Sequence, residues 1–314
     1  MTASASPCSV DSLDVEEPLA GTAVFARAVL VVEAPGPWGR EALTESHLDR
    51  DVARELDRRV TGLPVSVLLA RTPGRHADLH TTAPRRRVWA AVVDPARPRW
   101  TSWTIGDPAE LLDLDIPALA AGTLPGGPDH HVPPSTLFVC GNAKRDLCCA
   151  REGRALANSL TAETDLRGRV WEVSHLGGHR FAPTAVVLPL GVVYGRLDAG
   201  SARAALESAD SGELVVAHQR GLMGLVPVAQ AADIEVRRRS AVLRADDVQV
   251  VEVLEGAHGG ELDGWLVTVD TSDSIRWSVA VAQVNGADRR KSCGADKVAM
   301  TYHRASILSR AAIA

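Results

Sequence analysis

The segment CGNAKRDLCC, followed 26 residues later by HLGGH, concentrates five metal-capable side chains, Cys140, Cys148, Cys149, His175 and His179, in one short part of the chain. Each group directly follows an apolar run, TLFVC in the first case and RVWEV in the second, of the kind that forms β-strands. Loops that leave neighbouring strands at the same end of a sheet bring side chains together from a rigid base. This requirement constrains the fold more than any other feature, because the two strands must be neighbours for the five side chains to meet. The two glycines inside HLGGH argue against a helix, since each costs about 1 kcal/mol in helix propensity. They open positive-φ conformations instead, so HLGGH is read as a loop wrapped closely around something. Main-chain amides there can also approach an anion or sulfide.

The remaining chain reads as mixed α/β. With 314 residues, 46% hydrophobic and 23% charged, it has ample material for a core, and disorder and fibrous repeats are excluded. A loose polar leader is expected over residues 1–20. An α/β domain follows over 21–128, with strand material in AVFARAVLVVEAPG, PVSVLLA, RRVWAAVVD and RWTSWTI, and helical spacing of Leu43, Val52, Leu56 and Val60. DPAELLDLDIPALAAG is helix-like, and the Gly/Pro-rich LPGGPDHHVPPS marks a boundary. Over 129–215 the order is strand TLFVC, helix CCAREGRALANSLTAET, strand RVWEV, a hairpin around Pro189-Leu190-Gly191 and helix SARAALESADS. Many α/β folds share that order, a thioredoxin-like unit among them. The region 216–314 is expected to begin with a helix and continue as an antiparallel meander of VQVVEVL, GWLVTVD and RWSVAVAQV, with AHGGELDG as a hairpin turn. The last residues show no clear period, and no internal repeat is visible.

Charge and cysteine usage narrow the function. The net charge is -5, and no basic run exceeds Arg85–Arg87 or Arg237–Arg239, so nucleic acid is not an expected partner. The start MTASASPCSVDSLDVEEPL carries neither the basic n-region nor the apolar h-region of a secretory signal. No stretch approaches about 18 uninterrupted apolar residues, so a cytoplasmic protein without membrane segments is expected. Five cysteines are too few for a disulfide scaffold, and in a reducing compartment they serve as core residues, reactive thiols or metal ligands.

Spacing selects among metal sites. A gap of seven or eight residues between cysteines is poor for one compact zinc finger. HExxH and the thioredoxin C-x-x-C are both absent. A two-iron cluster fits better, because each iron can take one ligand pair from a separate loop, and mixed ligation by two Cys and two His is established for Rieske centres. Any four of the five residues suffice on this ground.

The runs LFVCGNAKRDLCCAREGRALA and VWEVSHLGGHRFAPTAVVLPLGVVYGRLD, with EPLAGTAVFARAVLVVEAPGPWGREAL near the start, resemble the sucrase/ferredoxin-like family over roughly residues 17 to 215. The resemblance implies a thioredoxin-like ferredoxin domain and a [2Fe-2S] cluster held by two cysteines and two histidines. The family pattern C-x8-C falls on Cys140 and Cys149, and H-x3-H falls on His175 and His179, with Cys148 as an alternative ligand. The implied activity is electron transfer with an unidentified redox partner protein, by a carrier more than by a catalyst in its own right. Imidazole ligands raise the reduction potential and can couple it to protons. No carboxylate pair is assignable to sugar hydrolysis.

Blander readings stand beside these. Cys140 can be a core thiol, and His175 and His179 a pair of loop histidines satisfied by main chain. Arg145 and Asp146 either orient the loop or form a solvated turn, and Arg180 either offsets cluster charge or lies exposed. Cys8 and Cys293 read first as unremarkable cysteines and second as an additional metal or redox pair. Trp38 and Trp171 are read as core or interface aromatics, and His218, His258 and His303 receive no role. Two other functions remain open. One is a thiol-dependent enzyme with Cys149 or Cys148 activated at a helix start beside a histidine, and the other is a structural zinc module.

Overall fold

The computed structural model describes residues 6–74, 85–256 and 264–313. Where a loose leader is expected, Cys8–Asp14 form a short helix, α1. Strand β1 (Ala28–Glu33), helix α2 (Arg50–Val60) and strands β2 (Val65–Arg71), β3 (Arg86–Val92) and β4 (Arg99–Ile105) follow, then α3 (Ile116–Ala120). The second half contains β5 (Thr136–Cys140), α4 (Arg154–Ala162), β6 (Val170–Val173), β7 (Ala185–Leu188), β8 (Val192–Tyr194) and α5 (Ala199–Asp210). The chain then runs through β9 (Gln219–Leu222), α6 (Pro227–Ser240), β10 (Val248–Glu255), β11 (Gly264–Thr271) and β12 (Ile275–Asn285). It ends with the short pair β13 (Arg289–Arg290) and β14 (Lys297–Val298), and β15 (Thr301–Ala312). The expected turn AHGGELDG and His258 fall largely outside the described residues.

The fold class is α/β. Strands β1 to β9 form one mixed sheet in the order β4-β3-β1-β2-β6-β5-β7-β8-β9, so the two units expected over 21–128 and 129–215 share a sheet. Each half repeats one topology. A parallel strand pair is connected through a helix, and an antiparallel hairpin is added beside the first strand. The halves join where β2 and β6 pair antiparallel, Ala70 opposite Val173 and Arg71 opposite Glu172. This repetition lies in the topology and has no counterpart in the sequence.

The alternation of side chains across a strand explains the core. One face of the sheet is continuous through both halves, with Trp89 edge-on to Phe138 and Trp171 at centroid distances of 5.5 and 4.9 Å. On the opposite face each half packs its own cluster. Leu30, Val32 and Leu56 anchor the first, and Leu137, Leu160 and Leu206 the second. Helix α2 is capped by the Asp49 carboxylate, which accepts the N–H groups of Asp51 and Val52. In α5, Asp198 and Ser201 form a reciprocal capping box.

The carboxyl-terminal region forms a separate antiparallel sheet, β10-β11-β12-β15. It packs against α6 through Val236, Val267, Val279 and Trp277. Two elements depart from the expectation. The helix expected at the start of region 216–314 is divided into β9 and α6. The aperiodic last residues form the twelve-residue edge strand β15.

Candidate metal centre

Strands β5 and β6 are parallel neighbours, with Cys140 opposite Val173, so the loops that follow them leave the sheet at the same edge. Carboxyl ends of parallel strands are the common location of sites in α/β sheets. Cys140 closes β5, its main-chain N–H bonded to Thr184 O at 2.9 Å. The loop from Gly141 to Asp146 leads into a π-helical turn, Cys149–Gly153, that continues as α4. Such turns often occur at functional sites. Gly153 is required here because a Cβ at that position would run into the Cys140 carbonyl oxygen. After β6 the chain enters HLGGH, where Gly177 and Gly178 have φ of +69° and +67°, as expected of a wrapping loop.

The structure brings Cys140, Cys149, His175 and His179 together. Cys140 is fully buried and shares side-chain hydrogen bonds with Cys149 and with His175, and the His175 and His179 rings lie 6.0 Å apart at 28°. Nδ1 of both histidines is buried without a hydrogen-bond partner among the described residues. The hydrogen bond from Cys149, together with His175 and the Leu176 main chain, holds the Cys140 thiol well below its ordinary pKa despite burial. Cys149 is pushed up by the same hydrogen bond and by burial, so the pair favours a Cys140 thiolate receiving the Cys149 proton. Burial lowers the His179 pKa, while Asp146 works in the opposite direction.

Cys148 points elsewhere. Its Sγ lies 3.6 Å from Cys8 Sγ and 3.3 Å from Cys293 Sγ, and Cys8 and Cys293 are 3.7 Å apart. The Asp146 oxygens are 3.7 and 3.8 Å from Cys8 Sγ. All four ligand atoms, one from each residue, lie within 4.8 Å of one another, a grouping capable of holding a metal ion. Burial acts to raise the Asp146 carboxyl, but the N–H groups of Cys293 and Cys148, with His179, more than offset it. Cys8 is buried and Cys293 half-buried, and all five cysteines are free thiols. In the sequence Cys148 stands as an alternative ligand of the other group, Cys8 and Cys293 as a metal or redox pair only on a secondary reading, and Asp146 as a loop residue of undecided role.

Charged neighbours support the loops. Arg220, wholly enclosed, donates from Nη1 to Gly177 O at 2.9 Å and from Nε to Thr22 Oγ1 at 3.1 Å. Burial and Arg180 pull its pKa down to about 9, still protonated at neutral pH, while Cys149 and Cys140 hold it up. Sequence reading missed Arg220, which lies 41 residues beyond His179 on β9 with no motif around it. Arg180 is mostly buried and pairs with Glu17 at 2.9 Å, and Glu17 also receives Arg289. Arg145 bonds Glu41 at 2.5 Å, so of the two loop residues Asp146 faces inward and Arg145 outward. Trp38 and Trp171 are both core residues.

Among the described residues no helix is long and apolar enough to cross a membrane. No curated protein and no solved structure matches the chain significantly. The family model for sucrase/ferredoxin-like proteins matches residues 19–221, which span the nine-stranded sheet but for the last residue of β9 and include Cys140, Cys149, His175 and His179. With nearly two thirds of its length covered by that match, this chain belongs to the sucrase/ferredoxin-like family.

Proposed function

We propose that the protein is a [2Fe-2S] electron-transfer protein whose cluster is held by Cys140, Cys149, His175 and His179. The observation that carries the proposal is the pair of buried, unpartnered Nδ1 atoms of His175 and His179 beside the hydrogen-bonded thiols of Cys140 and Cys149. A buried polar atom without a partner is costly, so two in one pocket next to two thiols suit a metal group that both nitrogens ligate. The donor set, two thiols and two imidazoles on separate loops, also fits a two-iron group with one ligand pair per iron. The parallel strand pair with an added hairpin agrees with a thioredoxin-like ferredoxin unit.

When bound, the cluster supplies one-electron transfer, at a potential raised by neutral imidazoles in place of two thiolates. The protein's own residues set the surroundings. Cys140 and Cys149 are buried and exclude water from their side of the pocket. His179 retains 16% exposure of its side chain, and its Nε2 lies 3.7 Å from Asp146 Oδ2. A proton held at that nitrogen therefore has both a facing carboxylate and access to solvent. The enclosed Arg220 fixes the HLGG main chain through Gly177 O and places a cation near the two cysteines. Electrons enter and leave through a redox partner protein, and five free thiols suit a cytoplasmic setting.

The test is anaerobic purification with iron and acid-labile sulfide analysis. Two irons and two sulfides per chain are expected, with a visible spectrum bleached by dithionite. Cys149→Ser loses the cluster, and His179→Ala loses it or shifts its spectrum and potential. A colourless wild-type protein with reactive thiols, or a His179→Ala protein with an unchanged spectrum and potential, overturns the assignment.

A further inference from the structure

We propose that Cys8, Cys148, Cys293 and Asp146 form a second metal site, a closed tetrahedral site for a single zinc ion, distinct from the Cys140/Cys149/His175/His179 pocket. Thiolates bound to one zinc at about 2.3 Å sit about 3.8 Å apart along the edge of a tetrahedron, and a carboxylate oxygen sits about 3.5 Å from each of them. The three sulfurs are separated by 3.3, 3.6 and 3.7 Å, and the carboxylate oxygens stand 3.7 and 3.8 Å from Cys8 Sγ. A two-iron cluster takes its protein ligands as one pair per iron and sets the two pairs further apart, whereas here three sulfurs are mutually at the spacing of a single tetrahedral ion. Three soft sulfur donors with one carboxylate select a tetrahedral thiophilic ion over magnesium or calcium, and four protein ligands leave no open position for a substrate.

The donors are held by their surroundings. Ser9 Oγ donates to Cys148 Sγ at 3.3 Å. The N–H groups of Cys148 and Cys293 each donate to Asp146 at 2.9 Å, one to each carboxylate oxygen, which fixes its orientation before any ion arrives. Oriented ligands of this kind characterise true metal sites. A surface cleft lined by Pro7, Leu147, Cys148, Cys293 and Gly294 gives an ion access.

The ligands come from α1, from the loop after β5 and from the segment between β13 and β14, which are far apart in the chain. Cys8 and Cys293 both lie outside residues 19–221, so the site joins two ligands from flanking segments to Asp146 and Cys148 from within the segment that matches the family model. An ion there clasps both ends of the chain to the central sheet. The seven-residue α1 and the two-residue strands β13 and β14 are too short to hold themselves in place by main-chain hydrogen bonding.

The experiment uses the full chain, produced with zinc in the medium and purified without chelator, with zinc, iron and sulfide measured on the same sample. One zinc per chain is expected. Cys8→Ser and Cys293→Ser are each expected to lose zinc while iron, sulfide and the visible spectrum persist, so failure here and failure of the electron-transfer assignment are separately visible. Zinc absent from the wild type, or zinc retained in both variants, overturns the proposal, as does loss of iron with zinc intact. A wild-type measurement covers the case of a misfolded variant. Iodoacetamide labelling of Cys8 and Cys293, read by peptide mass spectrometry, should be suppressed until a chelator is added. Equal labelling with and without chelator, or recovery of the peptides as a disulfide, overturns the site.

Discussion

Alanine at Gly177 and at Gly178 separates two costs that the HLGGH loop combines. Both residues have positive φ, +69° and +67°, so either substitution forces a side chain into the left-handed region at a cost of about 1–2 kcal/mol. Loss of chain entropy in the unfolded state returns about 0.4–1 kcal/mol in both cases. The sites differ in what the new methyl meets. At Gly177 nothing lies within 4 Å, whereas at Gly178 the Cβ would lie 2.7 Å from Cζ of Arg220 and closer still to Nη2. An arginine tip ordinarily swings aside, but this one is enclosed and bonded to Gly177 O, Thr22 Oγ1 and Thr22 O. Moving it sacrifices at least one charge-assisted hydrogen bond in a buried place, worth about 1.5–3 kcal/mol. Gly178→Ala is therefore expected to be less stable than Gly177→Ala by about 2 kcal/mol. In urea, with a slope of about 3 kcal/mol/M, the difference is a midpoint lower by about 0.7 M. The two variants should be compared at matched iron content. Equal midpoints, or a milder effect at Gly178, would refute the role of Arg220 as the clamp on this loop.

Two other expectations concern the seam and the site. Arg71 and Glu172 face each other across β2 and β6 at 2.7 Å, with side chains 3% and 1% exposed. Glu172→Gln removes the carboxylate charge facing a buried guanidinium and is expected to lower stability by about 3 kcal/mol, while replacing both residues with leucine recovers most of it; if the single variant unfolds no earlier than wild type, the pair does not hold the seam. For the iron-loaded protein, the midpoint potential is expected to fall with pH, by up to about 59 mV per unit where one proton accompanies one electron. Protein-film voltammetry from about pH 6 to 10 checks this, and a flat profile argues against histidine ligation.

How much of this was legible in the sequence depends on the element. Strands β1 and β5 to β8 show in the sequence because their apolar runs are buried on both faces, as the uninterrupted burial of Thr136–Cys140 and Ala185–Leu188 shows. Strand β15 does not, because its side chains are largely exposed and it carries no alternating apolar face for a pattern to reveal. Helix α1 is equally silent. CSVDSLD has no helical stripe, and long-range bonds such as Arg290 to Asp11 and Arg196 to Ser12 fix its position. The antiparallel join of β2 and β6 involves only two residue pairs, a pairing that composition cannot signal. The wrapping loop at Gly177-Gly178 was legible because glycine pairs have few other uses, whereas Arg220 and Asp146 act through the fold and carry no local signature.

The adjacent cysteines show where spacing alone stops being informative. Successive residues in a helical turn diverge by about 100°, so Cys148 and Cys149 cannot both face one compact centre. Either could have been the inward one on sequence grounds. The π-turn that starts at Cys149 settles the direction, because Gly153 seats the turn against the Cys140 carbonyl and carries the Cys149 thiol toward Cys140. Cys148 is then necessarily turned outward, toward α1 and the segment between β13 and β14. The π-turn and the residue before it thus supply a thiol to each of two groups, and Asp146 stands between them, within 3.7 Å of both His179 Nε2 and Cys8 Sγ. A change at either group that moves this carboxylate changes the orientation of the other. The segments carrying Cys8 and Cys293 are in this way tied to the loop that also faces His179.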